Sequence, residues 1–259
     1  VCLVWGDGAN LRAFALANPQ AQAVGIDLDA GDIAPGEHWL TQHPLPNLQL
    51  AVLDLPALLG SELGAFDYIV VRGVFSLVSG EGRAALLAFC QRHLSPDGVT
   101  CFGYNTYPGW KSAEVLQDAM QMHLSLVDSP EAQNPSARGM LVFMAMGLAD
   151  NNPQRPALQE FIREAKQFSD VDLALHYYQG LNQPCYLMDF LTQASEAGFA
   201  WLGDAQPCTE LAEHYSDNVV QLHQTICPYD HKLMKQQYLD FAVGRKHRYT
   251  LLVSTAHAG

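Results

Sequence analysis

The sequence predicts an α/β fold: a mostly parallel sheet with helices on both faces, followed by a mostly helical C-terminal module. Three observations predict it. Short apolar, β-branched runs such as Asp67-Tyr68-Ile69-Val70-Val71 alternate with amphipathic stretches through the first 110 residues. Glycine or aspartate stands at or just beyond the ends of the early strand-like runs. After Trp110 the strand signals give way to long helical periodicities. Strands that alternate with helices are joined by crossovers, and a parallel sheet built that way is covered on both faces.

Residues 1–5 form the first expected strand, with Gly6-Asp7-Gly8 as its turn and helical spacing over 11–17. A second strand covers 21–28, with Asp27 near its end. A third covers 48–53 and is followed by Asp54, and a fourth covers 66–72. Residues 81–94 put Leu86, Leu87 and Cys90 on one helical face. Ser95-Pro96-Asp97-Gly98 has turn composition, and 99–104 make a fifth strand. Beyond lie expected helices at 114–127, 137–149, 158–168, 187–197 and 233–243, a loop at 150–156 and a late strand at 249–254. Gly198 stands where a helix C-cap favours glycine. No internal repeat is visible. Soft boundaries divide the chain into a sheet domain, 1–110, a helical lid-like module, 111–200, and a C-terminal extension, 201–259.

The 259 residues, 49% of them apolar, suffice for one large domain or a domain with a sizeable extension. No apolar run approaches the roughly 18 residues of a membrane span, so no membrane partner is expected. The first residues lack the pattern of a signal peptide and read as a strand already inside the fold. The formal charge of −13 argues against a nucleic-acid partner, because phosphate binding favours a basic face. Cysteines 2, 90, 101, 185, 208 and 227 form no Cys-x-x-Cys pair, so they read as reduced, mostly buried thiols of a cytoplasmic protein. The ten histidines show no metal-ligand spacing, and no metal is expected; His43, His93 and His214 read as exposed. The basic run Arg245-Lys246-His247-Arg248 reads as solvated surface, or else as a partner for acidic groups.

Ligands of open α/β sheets bind outside the carboxyl ends of the strands. Gly6 and Gly8 follow the first strand, where missing side chains let a ligand approach the backbone. Asp27 follows about 20 residues later, the spacing of the acid that accepts from ribose hydroxyls. Asp54 ends the third strand, where an acid can receive an adenine amine. Together they point to a nucleoside-type cofactor.

The segments Val4-Trp5-Gly6-Asp7-Gly8-Ala9-Asn10-Leu11, Val24-Gly25-Ile26-Asp27, Phe66 to Ser76 and Gly103-Tyr104-Asn105-Thr106-Tyr107-Pro108-Gly109-Trp110 carry a resemblance. So do Asn182-Gln183-Pro184-Cys185-Tyr186-Leu187 with Phe190, and Gln237-Tyr238-Leu239-Asp240-Phe241 with Arg245, Arg248 and Thr250. The chain resembles class I methyltransferases dependent on S-adenosylmethionine, which have a Rossmann-like sheet. More narrowly, it resembles the bacterial group with a methyltransferase regulatory domain. The resemblance implies S-adenosylmethionine as cofactor. Gly6, Gly8 and Asn10 would line its methionine part, Asp27 would hold the ribose, Asp54 with Leu55 would frame the adenine, and Arg72 with Gly73 would close the pocket. Tyr104, Asn105 and Tyr107 would orient an acceptor amine or hydroxyl, unless residues 107–110 form only a rigid turn. His123 is the histidine expected as an acid or base. Cys2 and Val4 stand where the group has an acid and a glycine, and Arg72 stands where it has histidine. Relatives of this architecture include protein lysine methyltransferases, so the expected acceptor is a protein lysine. The alternatives are a small molecule or carrier-tethered acyl group, or a degenerate domain that senses the cofactor or binds a partner.

Overall fold

The structure, a computed structural model, describes residues 2–3, 8–27, 30–180, 182–227 and 231–257. In the N-terminal part, strands β1 (Cys2–Leu3), β2 (Ala23–Asp27), β3 (Leu48–Val52), β4 (Phe66–Arg72) and β5 (Leu94–Asn105) alternate with helices. These are α1 (Ala9–Ala17), α2 (Ala30–Gln42), α3 (Leu55–Gly60) and α4 (Gly80–His93). All five strands run parallel, in the order β3-β2-β1-β4-β5. The order reverses between β1 and β4, which opens a crevice at the strand ends.

A helical part follows: α5 (Lys111–Leu124), α6 (Pro130–Gly147), α7 (Arg155–Ala165), α8 (Asp170–Leu173), a π-helical turn at Ala174–Tyr178, and α9 (Leu187–Glu196). The chain then returns to the sheet through β6 (Phe199–Asp204), α10 (Asp217–Ile226), α11 (Lys232–Val243) and β7 (His247–Ser254). β7 lies between β5 and β6 and runs antiparallel to both.

Two main apolar cores result. One joins Ile69, Val71 and Phe102 of the sheet to Leu86, Leu87 and Phe89 of α4 and to Leu187, Phe190 and Ala194 of α9. The other joins Trp110, Leu116, Met120, Leu141, Phe161 and Tyr177 of the helical part. On α7, Leu158, Phe161, Ile162 and Ala165 recur at helical spacing, and all four are buried. Among the described residues, no helix is long and apolar enough to cross a membrane.

Several sequence expectations need correction. The turn expected at 95–98 is an excursion within β5: Phe66 pairs with Leu94 and Tyr68 with Val99, so four residues face the single Asp67. Gly98 is needed there, because a Cβ would lie 2.7 Å from the Leu94 side chain. Helix α2 was not expected. Gly31, Pro35 and Gly36 break up its composition, yet Ile33 and Gly36 are buried. β6 and α10 also went unanticipated. α9, grouped by sequence with the helical module, packs into the sheet core. His93 is not exposed: it is buried against Phe89 and its Nδ1 lies 2.7 Å from the Gly64 carbonyl oxygen.

The basic run at 245–248 is not a uniformly solvated surface either. Arg248 and Arg245 are buried around the carboxylate of Asp240, itself 0% exposed. Arg248 donates to it through Nε at 2.8 Å and Nη2 at 2.7 Å, and Arg245 donates through Nε at 2.5 Å. Lys246 reaches Glu160 and Glu164 at 2.6 and 2.7 Å, the acidic partner envisaged as an alternative. Of the described cysteines, Cys90, Cys185 and Cys227 are buried and Cys208 is exposed, and these four form no disulfide.

Candidate functional site at the strand ends

Two adjoining cavities open at the carboxyl ends of the parallel strands. One, of about 550 Å³, is lined by Asn10, Arg72, Gly73, Gly103, Tyr104, Asn105, Asp172, His176, His247 and Tyr249. The other, of about 700 Å³, is lined by Asp27, Asp32, Val52, Val74, Asn134 and Tyr178, among others. Leu77 borders both, so they adjoin at that side chain and are taken together as a strand-end cleft. A further cavity of about 620 Å³, between α4 and α9, includes no strand-end residue.

Asn10, Asp27, Arg72, Gly73, Tyr104 and Asn105, half of the sequence-predicted residues, line this cleft. Asp27 closes β2 at 4% exposure. Asn10, in the first turn of α1, and Arg72, at the end of β4, are exposed at its mouth. Gly73 follows with φ of 79°, a backbone conformation that side chains disfavour. Gly8 precedes α1 with φ of 72°, and a Cβ there would lie 3.0 Å from Leu50. Gly6 and Val4 lie outside the described residues.

Other predicted residues are occupied differently. Asp54 caps α3, accepting from the Ala57 amide at 2.8 Å, and does not border the two cavities; Leu55 takes the first helical position. Tyr104 borders the cleft, yet its hydroxyl pairs with Thr250 Oγ1 at 3.1 Å and its ring stacks on Phe190 at 4.3 Å. Burial pushes that phenol well above its ordinary pKa. The Asn105 side chain donates to Asn182 Oδ1 at 2.9 Å, and its backbone amide donates to Ser76 Oγ at 2.8 Å. Tyr107 turns toward α5: its hydroxyl donates to Glu114 and Lys111 Nζ sits 3.8 Å from its ring centre. Burial and the Glu114 carboxylate raise its pKa. His123 is exposed in the last turn of α5 and borders neither cavity.

Sequence reasoning missed the opposite wall of the cleft. Asp172 and His176 come from α8 and the π-helical turn, and His247 and Tyr249 from β7. His247 and Tyr249 alternate with buried Arg248 and Thr250 along the strand, a period-2 signal in the sequence. Gly103 allows the Tyr249 ring its place, since a Cβ would come within 3.0 Å of it. Burial lowers His176 to a pKa of about 4, and shielding with nearby Lys246 lowers His247. Among the described residues, no three His, Cys, Asp or Glu side chains form a group able to hold a metal ion.

The sheet order and strand-end cleft define the class as a Rossmann-like methyltransferase fold. A family model described as "Methyltransferase domain" matches residues 5–100, and one described as "Predicted methyltransferase regulatory domain" matches residues 169–254. The two matches fall in the order expected of the group that the sequence resembles. PKMT2 from Rickettsia typhi is 28% identical and superposes with a TM-score of 0.78 over 98% of this chain and 48% of that one. Its complex with AdoHcy superposes at 0.76, with 26% identity and the same coverage. The uncharacterized proteins RP028 and RP789 of Rickettsia prowazekii (strain Madrid E) are 29% and 26% identical over 76% and 95% of this chain. The chain covers 79% of RP028, but about half the length of PKMT2 and 44% of RP789.

Proposed function

We propose that this chain binds S-adenosylmethionine in the strand-end cleft and transfers its methyl group to an acceptor, a protein lysine in the preferred reading. The observation that carries this is the buried carboxylate of Asp27 at the end of β2, facing a cavity at the point where the strand order reverses. The residues present fit such a group. The cavity volumes fall within the roughly 300–1,000 Å³ of small-molecule sites, and Gly73 and Gly103 keep side chains out of the wall. When bound, the cofactor supplies a methyl on a sulfonium, whose carbon accepts a lone pair as its bond to sulfur breaks with both electrons left on sulfur.

The chain's own part is to bind and orient. Asp27 accepts from the ribose hydroxyls, Gly6, Gly8 and Asn10 line the methionine part, and Asp54 with Leu55 would frame the adenine from outside the two cavities, where Asp54 caps α3. Arg72, with Gly73, closes the pocket and faces the carboxylate end. Tyr104 and Asn105 are fixed by Thr250 and Asn182, so they shape the wall beside the acceptor. Holding the reactants aligned contributes on the order of 7–11 kcal/mol in well-oriented systems. Residues 1–110 hold the cofactor, 111–200 cover the cleft and 201–259 complete the sheet. The lysine acceptor is supported by the protein lysine methyltransferases within the group the sequence resembles. The net charge of −13 supports a partner other than nucleic acid. Reduced thiols at Cys90, Cys185, Cys208 and Cys227 support a cytoplasmic setting.

Calorimetric titration with S-adenosylhomocysteine is the first test, with micromolar binding expected; absence of binding at millimolar ligand overturns the reading. Labelled methyl transfer into a lysate, separated into protein and small-molecule fractions, tests the acceptor. Label confined to small molecules overturns the lysine assignment.

A further inference from the structure

The wall of the cleft facing the strand ends combines an acid, two imidazoles and a phenol, from two stretches of chain far apart in sequence. His176 lies in a single π-helical turn, a local irregularity frequent at functional sites. Its backbone carbonyl is held by Gln117 Nε2 at 2.9 Å and Asn182 Nδ2 at 3.2 Å, which fixes the turn. The ring is fixed as well: it stacks on Trp110 at 6.0 Å and 21°, with Phe168 at 5.2 Å. His247 meets the same indole edge-on at 6.0 Å, so Trp110 spaces the two imidazoles. Asp172 stands one helical turn before His176, and its Oδ2 accepts from Ser169 at 2.7 Å. His176 Nδ1 is buried and has no hydrogen-bond partner among the described residues.

We propose that this wall is the acceptor-amine subsite, in which His176 accepts a hydrogen bond from the amine and Asp172 supplies the opposing charge. The inference rests on the methyltransferase reading and names the chemistry of its acceptor. An amine must be unprotonated to offer a lone pair, and an imidazolium in this wall would repel its protonated form. Burial keeps His176 neutral down to about pH 4, with Asp172 opposing that shift and His247 reinforcing it. A neutral imidazole takes an N–H hydrogen bond through its unprotonated ring nitrogen. It is too weak a base to hold the proton of an alkylammonium, so that proton leaves to water. Asp172 and the ring of Tyr249 both favour a cation, so they suit an entering ammonium and a methylated product alike. Arg72, the one Lys or Arg among the described lining residues of this cavity, stands at the end of β4, with β5 between it and β7. Within this cavity the guanidinium and the acid thus come from different walls, an arrangement that suits a carboxylate beside one and an amine beside the other.

Butylammonium chloride at pH 8 is the probe, followed by the imidazole ¹⁵N resonances of the whole chain. Saturable displacement of the His176 signals is expected. Loss of one such hydrogen bond weakens binding by up to about tenfold, so His176→Leu should show that loss while His176→Gln, which keeps an acceptor, recovers most of it. Asp172→Asn should weaken the ammonium by a similar factor and serves where His176→Leu does not fold. S-adenosylhomocysteine affinity should stay within about threefold of wild type in all three, since other residues are proposed to hold its ribose and methionine parts. Amine binding that leaves the His176 signals unmoved, or that survives both His176→Leu and Asp172→Asn at full strength, overturns the subsite. Amine binding without S-adenosylhomocysteine binding overturns the cofactor reading and leaves the subsite standing. Loss of S-adenosylhomocysteine affinity in every variant assigns these residues to the fold and overturns the proposal.

Discussion

Asp27 shows how one residue can hold a site together. A carboxylate at 4% exposure needs donors around it, and in the proposed complex ribose hydroxyls are among them. Asp27→Asn keeps the volume and removes the charge. Hydrogen bonds to charged groups are worth about 1.5–3 kcal/mol, so S-adenosylhomocysteine should bind roughly 10- to 100-fold more weakly by calorimetry. Tyr107 makes the opposite case. Its hydroxyl serves Glu114 and its ring faces Lys111, so Tyr107→Phe should cost about 1 kcal/mol of stability. The same variant should leave cofactor affinity unchanged, and a large loss of affinity would return Tyr107 to the site. Of the two sequence readings of residues 107–110, the geometry favours the rigid turn: Gly109 donates to the Arg245 carbonyl at 2.9 Å, and a Cβ would come within 2.3 Å of that oxygen.

Among the elements, α11 and β7 are joined by charge rather than by apolar packing alone. Asp240 on α11 accepts from Arg248 on β7 and from Arg245 just before it, with Asp204 of β6 3.6 Å from Arg248. Removing one partner of a buried ion pair leaves an uncompensated charge, so Asp240→Ala should destabilise by about 3–5 kcal/mol in urea unfolding. A loss near zero would mean that Asp204 and water neutralise both guanidiniums. The same elements show what was legible in the sequence. The parallel strands announced themselves by β-branched runs, and α7 by its apolar stripe. β6 did not, because Phe199-Ala200-Trp201-Leu202-Gly203-Asp204 is short and alternates poorly. α2 hid behind Pro35. The strand-end side of the cleft was legible because glycines and acids follow strands in order. The opposite wall was not, since Asp172, His176, His247 and Tyr249 meet only through tertiary packing, and an isolated histidine on a helix carries no signal of its neighbours.

At the scale of the whole molecule, the shielded histidines make stability depend on pH. His176 has a folded pKa of about 4 against an ordinary value of 6.5, and His247 is lowered too. Below pH 6.5 the unfolded chain therefore binds protons that the folded chain refuses. The stabilisation is complete above pH 6.5, declines as the pH falls, and is exhausted near pH 4. From His176 alone it amounts to about 3 kcal/mol at most. Urea midpoints should fall between pH 7 and pH 5, and His176→Gln should flatten that slope; an unchanged slope would place the titration elsewhere. The position of β7 bears on biosynthesis. Cys101 pairs with Leu251 and Phe102 with Thr250, so the strand holding Tyr104 gains its second neighbour only after residues 247–254 have been made. Such distant pairing slows folding. A nascent chain halted before residue 247 would expose one side of β5 as an unpaired edge, the surface on which chaperones or aggregation act.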